Sequence, residues 1–383
     1  MTKNAGRYAL LPFAFLAGAA GLFAQAPEGP LMPKPGQPVQ QAPPGAQANL
    51  RVGVALVNMP VTVRNRKGDM VHDLEAKDFH IKDNGIEQKI SHFDLGGDPA
   101  SVVILIETSS RIDALLPELR RTGILFTQTV LGPYGEGAVV GFNDSVDKLQ
   151  DFTNKADSIE KTVSQLQTGT AGSKLYDAMA VGVQMLSERP PGSLEKPGRR
   201  RVLLVISEPR DIGSETKLGE VLRKAQLANV TIYTVGLSTT RAEFRQQRSN
   251  TPSPIAPPGI STLPTPPGTA PTPGVQAATQ GGGADLLALA IWAVQHIDGE
   301  VKDRPLEVAT VGTGGAYYST FKDRSIEKAI DEIGGELHAQ YTLSYSPTDG
   351  SDLGYHGIKV EIDRKGLDVR ARPGYYVAPA PEN

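Results

Sequence analysis

The residues best placed to do chemistry are Glu107-Thr108-Ser109-Ser110-Arg111, which follow the apolar run Val102-Val-Ile-Leu-Ile106. A strand there would deliver an acidic residue and hydroxyls to its carboxyl end, the end at which open α/β sheets bind ligands. Ser109 beside Glu107 is a poor candidate nucleophile, because no base lies near it in sequence and no Gly-x-Ser-x-Gly elbow occurs. The 6 histidines include no His-x-x-x-His pair, and His72, His80 and His92 stand in strand-like or turn contexts. With 0 cysteines, disulfides, thiol catalysis and thiolate metal sites are all excluded. Gly312-Thr-Gly-Gly-Ala316 lacks the Lys-Ser or Lys-Thr ending of a phosphate loop and reads as a turn entering a strand. Arg199-Arg-Arg201 reads as a solvated loop end before a buried strand. Tyr317-Tyr318 and Tyr375-Tyr376 fit either an exposed aromatic surface for a peptide or glycan, or strand residues packed between modules. No catalytic residue emerges, so the expectation is that the chain is not an enzyme.

The elements that must position these residues alternate in the centre of the chain. Strands are expected at Val102–Ile106, Glu136–Phe142, Val202–Ile206 and Val230–Val235. Helices are expected at Asp113–Val130, Ala156–Leu166, Leu175–Leu186, Lys217–Ala228, Ala284–Ile297 and Arg324–His338. That alternation is the pattern of a doubly wound α/β fold with a mostly parallel sheet, and runs such as Val202-Leu-Leu-Val-Ile206 suit strands buried on both faces. The flanks read as β structure. Arg51–Val63 is rich in β-formers, and Asp78–Ile90 alternates apolar and polar residues around Asp83-Asn84-Gly85, a hairpin signal. Gln340–Tyr345, Gly357–Ile362 and Leu367–Val377 continue the pattern at the far end. Neither flank alone has strands enough for a stable core, so both are expected to join in one smaller β-sandwich-like module with the α/β domain inserted between them.

The 383 residues suffice for two domains and tails, with 39% apolar content for a core. A charge of -3, from 39 basic and 42 acidic residues, favours neither nucleic acid nor an anionic membrane as a partner. Lys3 and Arg7 precede the apolar run Ala9–Ala24, the layout of a secretory signal peptide over 1–24 with cleavage after Ala24; an uncleaved anchor is the alternative. The expected location is therefore secreted or periplasmic, with no integral span after cleavage. Residues 25–48 form a Pro-rich linker, and 246–283 a Pro/Gly-rich insertion in the α/β domain. The expected organisation is 49–97 and 340–378 for the two parts of the β module, 98–339 for the α/β domain and 379–383 for a tail.

Gly137–Asp144, Gly172-Ser-Lys-Leu-Tyr-Asp-Ala178, Arg201–Ser207 and Val230–Leu237 follow the opening loop in an order that resembles the landmarks of von Willebrand factor A domains. The flanking segments Leu74–Phe79, Thr313–Tyr318 and Arg372–Tyr376 are similar to a narrower group, the VWFA-related proteins described from Acidobacteria. The resemblance spans residues 50 to 378. It implies a metal-ion-dependent adhesion site at Glu107, Ser109, Arg111, Ser173 and Glu208. The family's first loop reads Asp-x-Ser-x-Ser and its third Ser-Asp-Gly. Here glutamates replace two aspartates, and Arg111 stands where a hydroxyl would face the cation.

Magnesium needs near-octahedral oxygens at about 2.0–2.1 Å, so two lengthened carboxylates and a lost hydroxyl disturb the site. Two arrangements follow. Arg111 takes the cation's place and pairs with Glu107 or Glu208; or it points to solvent, and Mg2+ or another divalent cation binds weakly through Glu107, Ser109, Ser173 and Glu208. No other cofactor and no small-molecule substrate is expected. The functional expectation is a secreted protein-binding, adhesion-type protein with a degenerate site, or else a structural component of the cell envelope that uses the domain as a scaffold.

Overall fold

The computed structural model describes residues 56–96, 98–190, 199–238, 286–299, 301, 304–320, 325–348 and 353–377. The export segment, the Pro-rich linker and the insertion expected at 246–283 lie outside the described residues.

The first flank supplies strands β1 (Val57–Asn65), β2 (Phe79–Asp83), β3 (Ile86–Gln88) and β4 (Ile90–Leu95). Asn84 and Gly85, both at positive φ, turn the β2–β3 hairpin that Asp83-Asn84-Gly85 signalled. The central sheet follows with β5 (Ala100–Glu107), β6 (Glu136–Phe142), β7 (Val146–Thr153), β8 (Arg200–Ser207), β9 (Val230–Gly236) and β10 (Tyr317–Ser319). Its order is β10-β9-β8-β5-β6-β7, parallel throughout except for β7, which runs antiparallel to β6 along the edge. All eight residues of β5 are buried. Val102, Ile104 and Ile106 pack on one face against Ile112, Phe126, Ile330 and Leu337. Val103 and Leu105 pack on the other against Leu175, Met179, Val183 and Leu222. A strand covered on both sides has no polar face to show, hence its unbroken apolar run.

The helices are α1 (Ala156–Ser164), α2 (Leu175–Ser187), α3 (Leu218–Leu227), α4 (Leu286–Gln295), α5 (Pro305–Thr313) and α6 (Ile326–Ala339). The continuous helix expected at Asp113–Val130 is instead segmented, with a 3-10 turn at Ser110–Leu115, single turns at Leu116–Leu119 and Gly123–Leu125, and a π segment at Phe126–Leu131. Hydroxyls divide it: Thr122, Thr127 and Thr129 donate to the carbonyls of Leu119, Ile124 and Leu125, taking acceptors that a regular helix would use. None of the helices among the described residues is long and apolar enough to cross a membrane.

The second flank returns as β11 (Tyr341–Tyr345), β12 (Gly354–Ile362), β13 (Leu367–Ala371) and β14 (Gly374–Val377). Two four-stranded sheets result, β13-β1-β11-β4 and β14-β12-β2-β3, each drawing strands from both flanks. Their shared core holds Met59, Val61, Phe79, Ile81, Tyr341, Leu343 and Tyr345. The doubly wound sheet and the β-sandwich-like module around it thus match the architecture expected from sequence. Where β4 passes into the central sheet, Gly96 adopts φ 68°, and a Cβ there would lie 2.0 Å from the His338 carbonyl oxygen. Only glycine permits that crossing.

Candidate functional site

Parallel pairing aligns Ile106 of β5 with Ile206 of β8, so Glu107 and Ser207 emerge side by side at the carboxyl edge. The Glu107 side chain is fully buried and is held by four donors. Ser109 Oγ donates to Oε1 at 2.5 Å and Arg111 Nη2 to the same oxygen at 2.9 Å. Ser207 Oγ and the Glu208 backbone N–H donate to Oε2, both at 2.8 Å. Burial pushes the Glu107 carboxyl above the ordinary glutamate range, and these donors only partly offset it.

The 3-10 turn beginning at Ser110 places Arg111 four residues beyond Glu107, with its guanidinium reaching back over the strand end. Nε donates to Glu208 Oε2 at 2.8 Å, Nη2 to Glu107, and Nη1 to the Ala171 carbonyl at 3.0 Å. One guanidinium therefore joins all three loops.

Those loops are also tied through their backbones. Gly169 N–H donates to the Thr108 carbonyl at 2.7 Å, and Ser110 N–H to that of Thr170 at 2.9 Å. Ser173 and Ile212 exchange backbone hydrogen bonds in both directions. A Cβ at Gly172 would come within 1.5 Å of Asp144 Oδ1, so a side chain there would require the exposed Asp144 carboxylate in the β6–β7 turn to move aside. Ser173 is completely buried, and its Oγ has no hydrogen-bond partner among the described residues.

The structure therefore joins four of the positions implied by the resemblance, Glu107, Ser109, Arg111 and Glu208, in one hydrogen-bonded cluster, and places the fifth, Ser173, on the adjoining loop two residues beyond Ala171, with its backbone bridged to Ile212. Of the two arrangements open from sequence, it shows the one in which Arg111 lies between the carboxylates. That donor set does not fit a divalent cation. The guanidinium sits between the two acidic side chains a cation would need, and both Glu107 oxygens already accept two hydrogen bonds each. Among the described residues no group of three or more His, Cys, Asp or Glu is placed to hold a metal. Ser109, 1% exposed, presents no hydroxyl to solvent.

Sequence reasoning missed Ser207, the Ala171 carbonyl and the clamp in which Asn143 donates to Thr108 Oγ1 at 3.2 Å and accepts from Thr170 at 3.0 Å. Ser207 had a signal, since it ends one apolar strand as Glu107 ends another. The arginine triplet is not a solvated loop end. Arg199 donates to the Tyr134 carbonyl, Arg200 to those of Asp98 and Leu337, and Arg201 to those of Ala228 and Arg189. The tyrosine pairs are packed: Tyr318 and Tyr375 are buried, and Tyr376 lies under the Arg223 guanidinium at 4.4 Å.

Residues 102–254 match the family model for the von Willebrand factor type A domain. Solved structures with similarity include a von Willebrand factor type A protein from Catenulispora acidiphila, 8% identical over 85% of this chain and 64% of the other, with a TM-score of 0.41. BatB from Bacteroides thetaiotaomicron is 14% identical over 62% of this chain and 98% of its own, with a TM-score of 0.38. The vWF domain of the type V pili tip protein Mfa5 from Porphyromonas gingivalis is 14% identical over 29% of this chain and 38% of its own, with a TM-score of 0.23. No curated protein matches the sequence. The family match takes in strands β5 to β9 of the central sheet and the loops just described: residues 102–254 form a von Willebrand factor type A domain.

Proposed function

We propose that the chain is a secreted or periplasmic, non-enzymatic protein of adhesion type. It binds a protein partner with the loops at the carboxyl end of the central sheet, and it does so without a divalent cation. Domains of this type commonly mediate protein interactions, although a fold alone does not assign a function. The observation that carries the reading is the Arg111 bridge to Glu107 and Glu208. It turns the site into a pre-formed, internally paired platform whose exposed rim, including Asp113 and Arg210, remains to meet a partner. The reading includes export by the apolar segment ending at Ala24.

Capture from cell-envelope extracts by the chain lacking residues 1–24 tests it. Capture is expected to persist in a chelator and to fall by about tenfold in Asp113→Lys with Arg210→Glu, the effect of losing ~1.4 kcal/mol. Capture abolished by chelator would refute cation independence. Capture indifferent to the rim variant would favour a scaffold role within the envelope.

A further inference from the structure

Arg111 closes a site that would otherwise be charge-unbalanced. The Glu107 and Glu208 side chains are 0% and 4% exposed, and the same guanidinium meets both, at 2.9 and 2.8 Å. Two carboxyl groups this deep are held together by the guanidinium between them, which supplies the positive charge and the donors that water would otherwise provide. Ser173 Oγ, completely buried and without a partner among the described residues, belongs to the loop whose Ala171 carbonyl accepts from Arg111. Its backbone is bridged to Ile212, in the loop that follows Glu208. It is an oxygen donor the present arrangement leaves unused. The backbone bonds of Gly169 to Thr108, Ser110 to Thr170 and Ser173 to Ile212 do not involve Arg111, so the loops keep their frame without it.

We propose that Arg111 is a covalently attached counter-ion filling the place of a divalent cation, and that Arg111→Ser alone converts the site to cation binding. The oxygens would come from Glu107, Glu208, Ser109, Ser173 and the introduced hydroxyl, a donor set suited to a hard divalent ion. The proposal rests on the cation-free reading of this site, but it requires no partner.

Calorimetric titration with Mn2+, competed by Mg2+, tests it on the native chain, Arg111→Ser and Arg111→Lys. Arg111→Ser is expected to bind Mn2+ at least about tenfold more tightly than the native chain, and its melting temperature alone should rise with the ion. Arg111→Lys, which keeps a positive charge there, is expected to behave as the native chain does. Saturable binding by the native chain as tight as by Arg111→Ser overturns the proposal. So does an Arg111→Ser protein that is folded by circular dichroism and gains no affinity. If Arg111→Ser folds only when Mn2+ is added, the proposal stands. If it does not fold at all, the native chain decides, because saturable Mn2+ binding there would show that the guanidinium does not exclude the ion. Because these readouts use metal alone, their failure is distinguishable from failure of partner capture.

Discussion

Glu107 has no solvent to share its charge with, so its stability depends on the four donors around it. Glu107→Ala would leave the Glu208 N–H, the Ser109 hydroxyl and one Arg111 N–H without their acceptor, while Arg111 keeps Glu208 and Ala171. Removing one partner of a buried pair costs about 3–5 kcal/mol, and that loss is expected in urea denaturation. Ser173 is the opposite case. Its hydroxyl is buried and has no partner among the described residues, so Ser173→Ala is expected to change stability by less than about 1 kcal/mol. A loss as large as that of Glu107→Ala would mean that the hydroxyl has a partner. At this scale the sequence was informative wherever chemistry is local. Glu107 and Arg111 lie four residues apart, and a turn brings them together. Ser207 was overlooked because its contact depends on the register of two strands a hundred positions apart. The Ala171 carbonyl carries no side-chain signature at all.

Elements with strong periodicity were legible and those built by exception were not. β5, β8 and β9 follow from their apolar runs, and the β2–β3 hairpin from Asp83-Asn84-Gly85. β7 escaped notice because Val146-Asp-Lys-Leu-Gln-Asp-Phe-Thr153 carries the charges of an edge strand, which protect it from pairing with other chains. α5 was missed beside its glycines, and Gly314, at φ 81°, ends it in the left-handed conformation. The hairpin also carries a pH signal. His80 on β2 pairs with Glu87 on β3 at 2.9 Å and with Asp363, just past β12, at 3.2 Å. Those hydrogen bonds, Glu87 first, raise its pKa above the ordinary histidine value. A raised histidine contributes stability fully below its unfolded pKa and loses it as pH rises through the folded one. Urea midpoints measured from about pH 5 to about pH 9 should therefore fall less steeply on the alkaline side for His80→Gln than for the native chain. His338, lowered by burial and by Arg200, works in the opposite direction and is common to both proteins, so the difference isolates His80. Identical profiles would show that the pair forms no net bond.

At the scale of the whole molecule, both flanks must arrive before the sandwich can close, since β1 pairs with β11 and β13 across nearly the full chain. That topology was legible from counting strands, because neither flank had enough of its own. One device that fastens the sandwich to the central sheet, beside the Arg372 bonds to Gln226 and Asn229, was not legible, because it converges on one buried carboxylate in α6. Glu336 accepts from Thr62 and Arg64 of β1, from Tyr233 of β9 at 2.8 Å, from Tyr318 of β10 and from Arg370 of β13. Gln340 extends the network by donating to Thr62 and to Tyr233. Two sheets and a helix thus share a single acceptor, and the group is satisfied only when all of them are docked. Glu336→Ala removes the acceptor while leaving two guanidiniums and two phenols in place, for an expected loss of about 3–5 kcal/mol. Glu336→Gln keeps one oxygen but not the charge and is expected to fall between. Calorimetric unfolding adds a second readout. If Glu336 couples the sandwich to the central sheet, the native chain should melt with these two parts in one transition, and Glu336→Ala should separate them. A variant that melts lower but still in one transition would place the coupling in the apolar contacts instead, whereas an unchanged melting temperature would remove Glu336 from the account of stability altogether.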